Sequence, residues 1–541
     1  MIQWKRILAG AAALLMMSTV LVGCGDGSGD GGSSGGNKSE LVGNTYVADF
    51  PVVKEKITIT AMALKWSGTG VIEELAWNSY YEKKTNIHVD WIEVPRAELG
   101  TKVQLALQSG DIPDIMVTGG MGINDSQLLQ YSEEGQFAEI GPLLEKWGPN
   151  IKKVMDATPE AQKSSYVNGK LYSLPLLQSN QTTRIWFVRQ SWLDNLGMGI
   201  PTTMTEYYNM LSAFKNNDPN GNGKKDEIPF ATNEWTPAMW EPWGLDWWYS
   251  NSFMTVDESG KVYFGPLTNA CKEGARYWNK MYDEGLVSDA ILNTGEEGLL
   301  ALIGRGNVGA FLYDGLYSYI KDKELVEDYT MIPVPDSQYA ESEFGGPCAI
   351  QSLIASPHGF VMSNDCQNKE AVIRWLDYLW TAEGAVLATY GPADDGVYTW
   401  KDGKVVFDDP NYLSTNIPTM DRGLGWILSI PTTLVPDMIA EKPEDQKTEA
   451  EKWTDKRDAF VKEHYEPLYR ESRVVYSVKS KEDSEYIAEM EPIVSEAIFN
   501  LGQFIVGNKN IDTEWNTYVQ DLKRKGIDEL VEIFQKDFPR Q

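Results

Sequence analysis

Between residues 54 and 118 the apolar residues change period repeatedly, and that alternation narrows the possible folds more than any other feature. In "KEKITITAMAL", Ile57, Ile59 and Ala61 recur at every second position, the pattern of a half-buried strand. "GVIEELAWNSYYEKKT" then carries Ile72, Leu75, Ala76 and Tyr80 at helical spacing, and "NIHVDWIEV" alternates again through Ile87, Val89 and Trp91. A second helix, "AELGTKVQLALQSG", stops at Gly110 and feeds the short strand "DIMVTG". Strand–helix–strand order predicts a parallel or mixed sheet covered by helices, so this part of the chain is α/β.

A chain of 541 residues allows about two to four domains or one large two-lobed body. Apolar content of 42% with 19 Trp, 26 Tyr and 16 Phe is ample for packed cores. No repeat of roughly 20–50 residues is visible, which argues against a solenoid or propeller. The formal charge of −30 leaves no basic surplus to displace phosphate counterions, so no nucleic-acid partner is expected, and the charge reads as solubility. Further along, "NKEAVIRWLDYLWT" puts Val372, Trp375, Leu376 and Leu379 on one helical stripe. The C-terminal region reads as three helices, the first two capped by Gly507 and Gly526.

The N-terminus stands apart from the fold. Lys5 and Arg6 precede an apolar run from Ile7 to Val22, which reads as a secretory signal rather than a spanning helix. It ends in Leu21-Val22-Gly23-Cys24, which resembles a bacterial lipobox, where the cysteine becomes the lipidated first residue. We therefore expect a signal peptide over 1–23, lipidation at Cys24 and a Gly/Ser-rich tether over 24–44. The chain is then held by its lipid on the extracytoplasmic face of the bacterial cell membrane. The remaining Cys271, Cys348 and Cys366 lack CxxC spacing, so neither a zinc site nor a disulfide framework is implied.

Three stretches in order, "SGDIPDIM", "VNGKLYSLPL" and "VRQSWLDNLGMGIPTTMTEYYNM", together with "FIVG" and "WNTYVQDLKRKGIDELVEIFQ" near the end, resemble extracellular solute-binding proteins of family 1. These lipoproteins feed ABC importers, and the resemblance runs from about Lys54 onward. It implies a two-lobed, periplasmic-binding-protein-like α/β fold of type II, with mixed sheets and a ligand cleft between the lobes. Lobe I would comprise 45–180 and 346–395, and lobe II 181–345 and 396–541. Crossings are expected near 178–183, 345–352 and 391–400, where a hinge rotation closes the lobes. The resemblance further implies a monomer that hands an oligosaccharide to ABC permease subunits, with the membrane touched only through the lipid.

The loop at 216–229, "NNDPNGNGKKDEIP", crowds oxygen donors onto a tight backbone. Counted from Asp218, it follows the first half of an EF-hand loop: Asp218, Asn220 and Asn222 supply side-chain oxygens, Gly223 makes the turn, Lys224 offers a carbonyl, and Asp226 follows. It departs at the last position, which is Pro229, leaving Glu227 as the available bidentate carboxylate. A helix–loop–helix sensor is thereby excluded, while a structural Ca²⁺ site or a solvated turn both fit. The loop also looks like the calcium loop of the alginate-oligosaccharide-binding type within the family, which implies Asp218, Asn220, Asn222, Lys224, Asp226 and Glu227 as ligands.

Sugars present apolar C–H faces alternating with hydroxyls, which aromatic rings and forked polar groups recognise. "NEWTPAMWEPWGLDWWYSN" holds five tryptophans in a Gly/Pro-interrupted stretch without period, and two of them are expected to face the cleft rather than the core. Trp243, Trp247 and Trp248 are the candidates there. Trp66 after the first strand, Arg184, Tyr313 after "VGAFL", and Tyr398 and Trp400 in "DDGVYTW" complete the ligand-binding set. A secreted, calcium-stabilised glycoside hydrolase or polysaccharide lyase shares these outward signs, as does a sugar-sensing module. Only three histidines exist, and no HExxH, GxSxG, P-loop or GxGxxG motif occurs, so no catalytic residue is assigned.

Overall fold

The computed structural model describes residues 39–65, 70–177, 184–232, 237–247, 253–257, 259–292, 295–313, 315–317, 320–339, 344–350, 355–409, 412, 422–424, 428–470 and 477–538. From Leu41 onward the chain forms one compact unit built around two sheets.

The first sheet grows from the alternating segment. Strand β1 (Ile57–Lys65), helix α1 (Ala76–Thr85), strand β2 (Ile87–Pro95), helix α2 (Arg96–Ser109) and strand β3 (Ile115–Val117) follow one another, and then come helices α3 (Asp125–Glu133) and α4 (Pro149–Ala157) and strand β4 (Ser173–Leu177). β1 pairs in parallel with β2 from Ile57↔Ile87 to Lys65↔Pro95, and with β3 at Ala61↔Ile115. The second sheet uses β5 (Ile185–Arg189), which leads into helices α5 (Gln190–Leu196) and α6 (Met204–Asn216), then β6 (Ile228–Ala231), helix α7 (Asn269–Asp283), β7 (Val308–Tyr313) and β8 (Tyr329–Ile332). Its order is β6-β7-β5-β8, with β6 parallel to β7 and β5 antiparallel to both β7 and β8. The chain then returns to the first sheet as β9 (Ala355–Met362), antiparallel to β3 and β4, giving the order β2-β1-β3-β9-β4. Both sheets are mixed, as expected.

Each sheet has its own core. In the first, Ile59, Ala61 and Ala63 enter one cluster while Met62 and Leu64 enter another on the opposite face. β1 is thus buried on both faces past its first turns, not on one, because helices cover the sheet on both sides. Its neighbour α1 is also shorter than the spacing predicts. Leu75 is extended, a 3₁₀ turn at Ile72–Glu74 precedes it, and Trp77, Tyr81 and Thr85 form the buried stripe, with Tyr80 only half-buried. The second core gathers Trp186, Phe187, Phe230, Trp278 and Phe311, with the Phe187 and Phe311 rings stacked at 5.1 Å.

Core membership locates the passages between lobes. Leu177 belongs to the first core and Ile185 to the second, while Ala349 belongs to the second and Ala355 to the first. The passage expected near 391–400 does not occur. Helices α8 (Lys369–Leu379) and α9 (Ala382–Tyr390) are followed by a hairpin of β10 (Tyr398–Lys401) and β11 (Lys404–Phe407), and all pack with the first core, as do Leu424, Leu428, Ile430 and Val435. The second core resumes at Trp453, in helix α10 (Glu449–His464). The described residues between 396 and 439 that enter a core therefore belong with lobe I, because the hairpin finds its apolar cover there.

The C-terminal region is helical as predicted: α11 (Lys481–Ile505), α12 (Ile511–Arg524) and α13 (Ile527–Gln535). Gly507 (φ +79°) and Gly526 (φ +101°) take the left-handed conformation that ends a helix. α11 packs on α7 of the second lobe and also reaches α3 of the first. Among the described residues no helix is long and apolar enough to cross a membrane.

Candidate functional site

The oxygen-rich loop runs from the end of α6 to the start of β6, and it is tied inward by its own side chains. Asp218 accepts from the backbone amides of Asn222 (3.1 Å) and Gly223 (2.9 Å). Asn220 Oδ1 also accepts from Asn222 N (2.9 Å), and Asn222 Oδ1 from Lys224 N (2.7 Å). Asn222 Nδ2 donates to Asp226 Oδ1 (3.0 Å). Gly221 (φ +66°) and Gly223 (φ +73°) supply the left-handed turns this requires, and Asp218 itself sits at φ +48°.

A hard cation fits this set. Among the described residues no three His, Cys, Asp or Glu side chains converge as a metal cluster, and the donors available in this loop are carboxylates, side-chain amides and backbone carbonyls. One carboxylate oxygen of the loop stands out: Glu227 Oε1 is buried with no hydrogen-bond partner. A carboxylate oxygen withdrawn from water without a donor is costly unless a positive charge meets it.

The aromatic stretch is placed differently from expectation. Trp243 and Trp247, at 4% and 1% exposure, lie in the second core. Trp243 packs on Tyr277 at 5.4 Å, and Trp247 on Trp240 at 5.3 Å and Phe253 at 6.2 Å. The sites that make room for them are glycines: a Cβ at Gly265 would lie 1.8 Å from the Trp247 ring. Both are therefore corrected from ligand contacts to core residues, since indoles maximise burial where small residues open a slot. Trp248, Trp235 and Trp66 lie outside the described residues. Tyr398 is likewise a core residue, 2% exposed, its hydroxyl donating to Gly391 O at 3.0 Å.

Arg184 and Tyr313 are brought together at the end of the second sheet, where Tyr313 is the register partner of Ile185. The Arg184 guanidinium lies 5.3 Å above the Tyr313 ring, which is fully buried beneath it. Trp400, on the β10–β11 hairpin, is 37% exposed and keeps an edge-on contact with Tyr398 at 6.1 Å.

Polar residues absent from the sequence reading organise the passages between lobes. Glu241 is fully buried and accepts from Trp186 Nε1 (3.0 Å) and Ile350 N (2.7 Å), joining the residues that flank two passages. Tyr465 accepts from Trp186 N (3.0 Å) and donates to Ile332 O (2.9 Å). Arg470 donates to Gly244 O (2.8 Å), Phe344 O (2.5 Å) and Gly346 O (3.1 Å). These partners are 55 to 279 residues apart, so no local pattern signals them.

Comparison with known proteins places this architecture. The fructooligosaccharide ABC transporter substrate-binding protein FusA of Streptococcus pneumoniae is 26% identical over 84% of this chain and 85% of its own. The polygalacturonan/rhamnogalacturonan-binding protein YtcQ of Bacillus subtilis is 23% identical over 84% of this chain and 86% of its own. The fold matches FusA in complex with kestose at a TM-score of 0.70 and 22% identity, covering 89% of this chain and 99% of that one. Two further solved structures with this fold are an EF-hand mutant of FusA (TM-score 0.69, 21% identity, 89% and 99% covered) and the alginate-binding protein AlgQ2 without calcium ion (TM-score 0.65, 19% identity, 91% and 100% covered). The family model for bacterial extracellular solute-binding proteins matches residues 65–386, more than half of the chain. With two separately cored α/β lobes and that match, the chain belongs to the bacterial extracellular solute-binding proteins and is a binding protein, not an enzyme.

Proposed function

We propose that this protein is a lipid-anchored, extracytoplasmic binding protein that captures an oligosaccharide and delivers it, as a monomer, to the permease of an ABC importer. The observation that carries the reading is the pair of α/β lobes with separate cores, joined by passages whose flanks are hydrogen-bonded, in a chain similar over most of its length to FusA. Such a body closes by rotating one lobe against the other, and ligand favours the closed form by binding it better. Cys24 carries the lipid, and similarity to a Bacillus subtilis lipoprotein, LipO, supports that anchor. Arg184, which lies over the buried Tyr313 ring, and the exposed Trp400 are the described residues proposed to meet sugar, and Trp66 and Trp248, outside the described residues, complete the proposed set.

A Ca²⁺ ion held by Asp218, Asn220, Asn222, the Lys224 carbonyl, Asp226 and Glu227 stiffens the loop between α6 and β6. The unpartnered Glu227 oxygen supports that set. When bound, the ion supplies coordination in place of local apolar burial.

Thermal unfolding of the full chain, with and without chelator, across neutral and acidic oligosaccharides tests both parts. A sugar-specific rise in midpoint with no product formed is expected, growing with ligand concentration over Kd. A chelator-induced fall reversed by Ca²⁺ alone is expected for the loop. Cleavage of a sugar, or no shift with any of them, would overturn the transport reading.

A further inference from the structure

Two asparagines outside the 216–229 loop each hold one half of it. Asn195, on α5, donates from Nδ2 to Pro219 O at 2.9 Å. Asn307, just before β7, donates from Nδ2 to Asp226 O at 2.7 Å, and its own carbonyl accepts from Ile228 N at 2.8 Å. Ile228 and Val308 are then parallel register partners, so the loop's exit is welded to β7. The carbonyls these amides take, Pro219 and Asp226, are not among the oxygens assigned to the ion, so the bonds orient the loop without competing for it. Asn307 Oδ1 is also buried without a partner, as Glu227 Oε1 is, so two acceptors on either side of Ile228 have left water without a donor.

We infer that Asn195 and Asn307 are positioning residues for the cation, fixing the entry and exit halves of the loop at the separation that lets its oxygens converge. The inference rests on the Ca²⁺ reading of the loop. A short loop pays for ion binding with its own conformational freedom, and clamps from rigid elements remove part of that cost before the ion arrives. Residues behind the ligands of a metal commonly govern affinity in this way.

The test is calorimetric titration of the chelator-stripped full chain with CaCl₂, paired with unfolding midpoints with and without Ca²⁺. Asn307→Ala and Asn195→Ala are each expected to weaken Ca²⁺ binding about tenfold or more. Each should also shrink the Ca²⁺-induced rise in midpoint more than it lowers the midpoint of the stripped protein. Asn307→Asp, which sets an acceptor against the Asp226 carbonyl, is expected to weaken binding as well. Tighter binding by Asn307→Asp would make Asn307 a direct ligand and overturn the positioning role. Equal falls in both midpoints with unchanged affinity would also overturn it, leaving a purely structural bond. A wild-type chain that takes up no Ca²⁺ would overturn the cation reading itself, and the clamp with it.

Discussion

The Nε2 of His358 lies 2.6 Å from Oδ1 of Asp125, although the two residues are 233 positions apart. The other ring nitrogen is 3.1 Å from Ser173 Oγ, so one imidazole joins β9, β4 and the first turn of α3. His358 sits at φ +53° where the β9–β4 register shifts between Ser356 and Phe360. Ser, His and Asp here form a structural relay, because Ser173 and His358 are buried to 0% and 1% exposure and admit no substrate. His358→Ala and Asp125→Ala are each expected to cost about 1–3 kcal/mol, with a coupling above about 0.5 kcal/mol in a double-mutant cycle by urea unfolding. Strict additivity of the two would show that the contact does not hold the bulge.

Glu241 is the second buried anchor. Glu241→Ala removes the acceptor facing Trp186 Nε1 and Ile350 N, and should destabilise by about 2–3 kcal/mol in denaturant unfolding. Glu241→Leu would not restore stability, since the donors remain. A loss below about 0.5 kcal/mol would mean that the flanks of the passages are held elsewhere.

A pH dependence follows from the partly exposed cluster that joins α1 to β2. The Glu82 carboxylate, 2.7 Å from His88 Nδ1, holds the imidazole above its ordinary value, while hydrogen bonds from Lys56 and then His88 hold Glu82 below its own. The His88 contribution is complete below the unfolded imidazole value and fades as pH rises through the raised folded one. The Glu82 contribution is present above the unfolded carboxylate value and fades as pH falls through the depressed folded one. The stability difference between wild type and His88→Gln should therefore peak between about pH 4.5 and 6.5 and shrink by pH 8. Because the pair is partly exposed, we expect only a few tenths of a kcal/mol. A difference that grows toward pH 8 would contradict this assignment.

The thiols of the folded chain should be inert. Cys271, Cys348 and Cys366 are buried, and burial pushes the Cys366 thiol up to about 12 and that of Cys271 well above its ordinary value. Iodoacetamide at pH 8 is expected to label none of the three until denaturant is added, as counted by mass spectrometry. Labelling of Cys366 in the native state would show that its part of the first core opens readily.

Periodicity made the α/β order of the first lobe, the C-terminal helices and the helix at Lys369–Leu379 readable from local pattern. The last of these is nonetheless buried nearly all round, including Arg374 and Asp377, not on the single stripe that its spacing suggests. Asp377 is buried because it caps another helix, accepting from the backbone amides of Asn150 (2.8 Å) and Ile151 (3.0 Å). The tryptophan stretch shows the opposite limit. Its composition suits a sugar cleft and a core equally, and the choice for Trp243 and Trp247 was made by Tyr277, Gly265 and Phe253, which no local window contains.

By itself the sequence determined the order of the first lobe's strands and helices, the C-terminal helices and the oxygen-bearing stretch from Asp218 to Glu227, because each is written in contiguous spacing. Only the tertiary structure decided that the β10–β11 hairpin stays with the first lobe, which aromatics are buried, and which distant side chains hold the loop and the passages. Those outcomes depend on which surfaces meet across hundreds of residues. Burial and hydrogen bonding are settled by that meeting, and a local pattern carries no record of it.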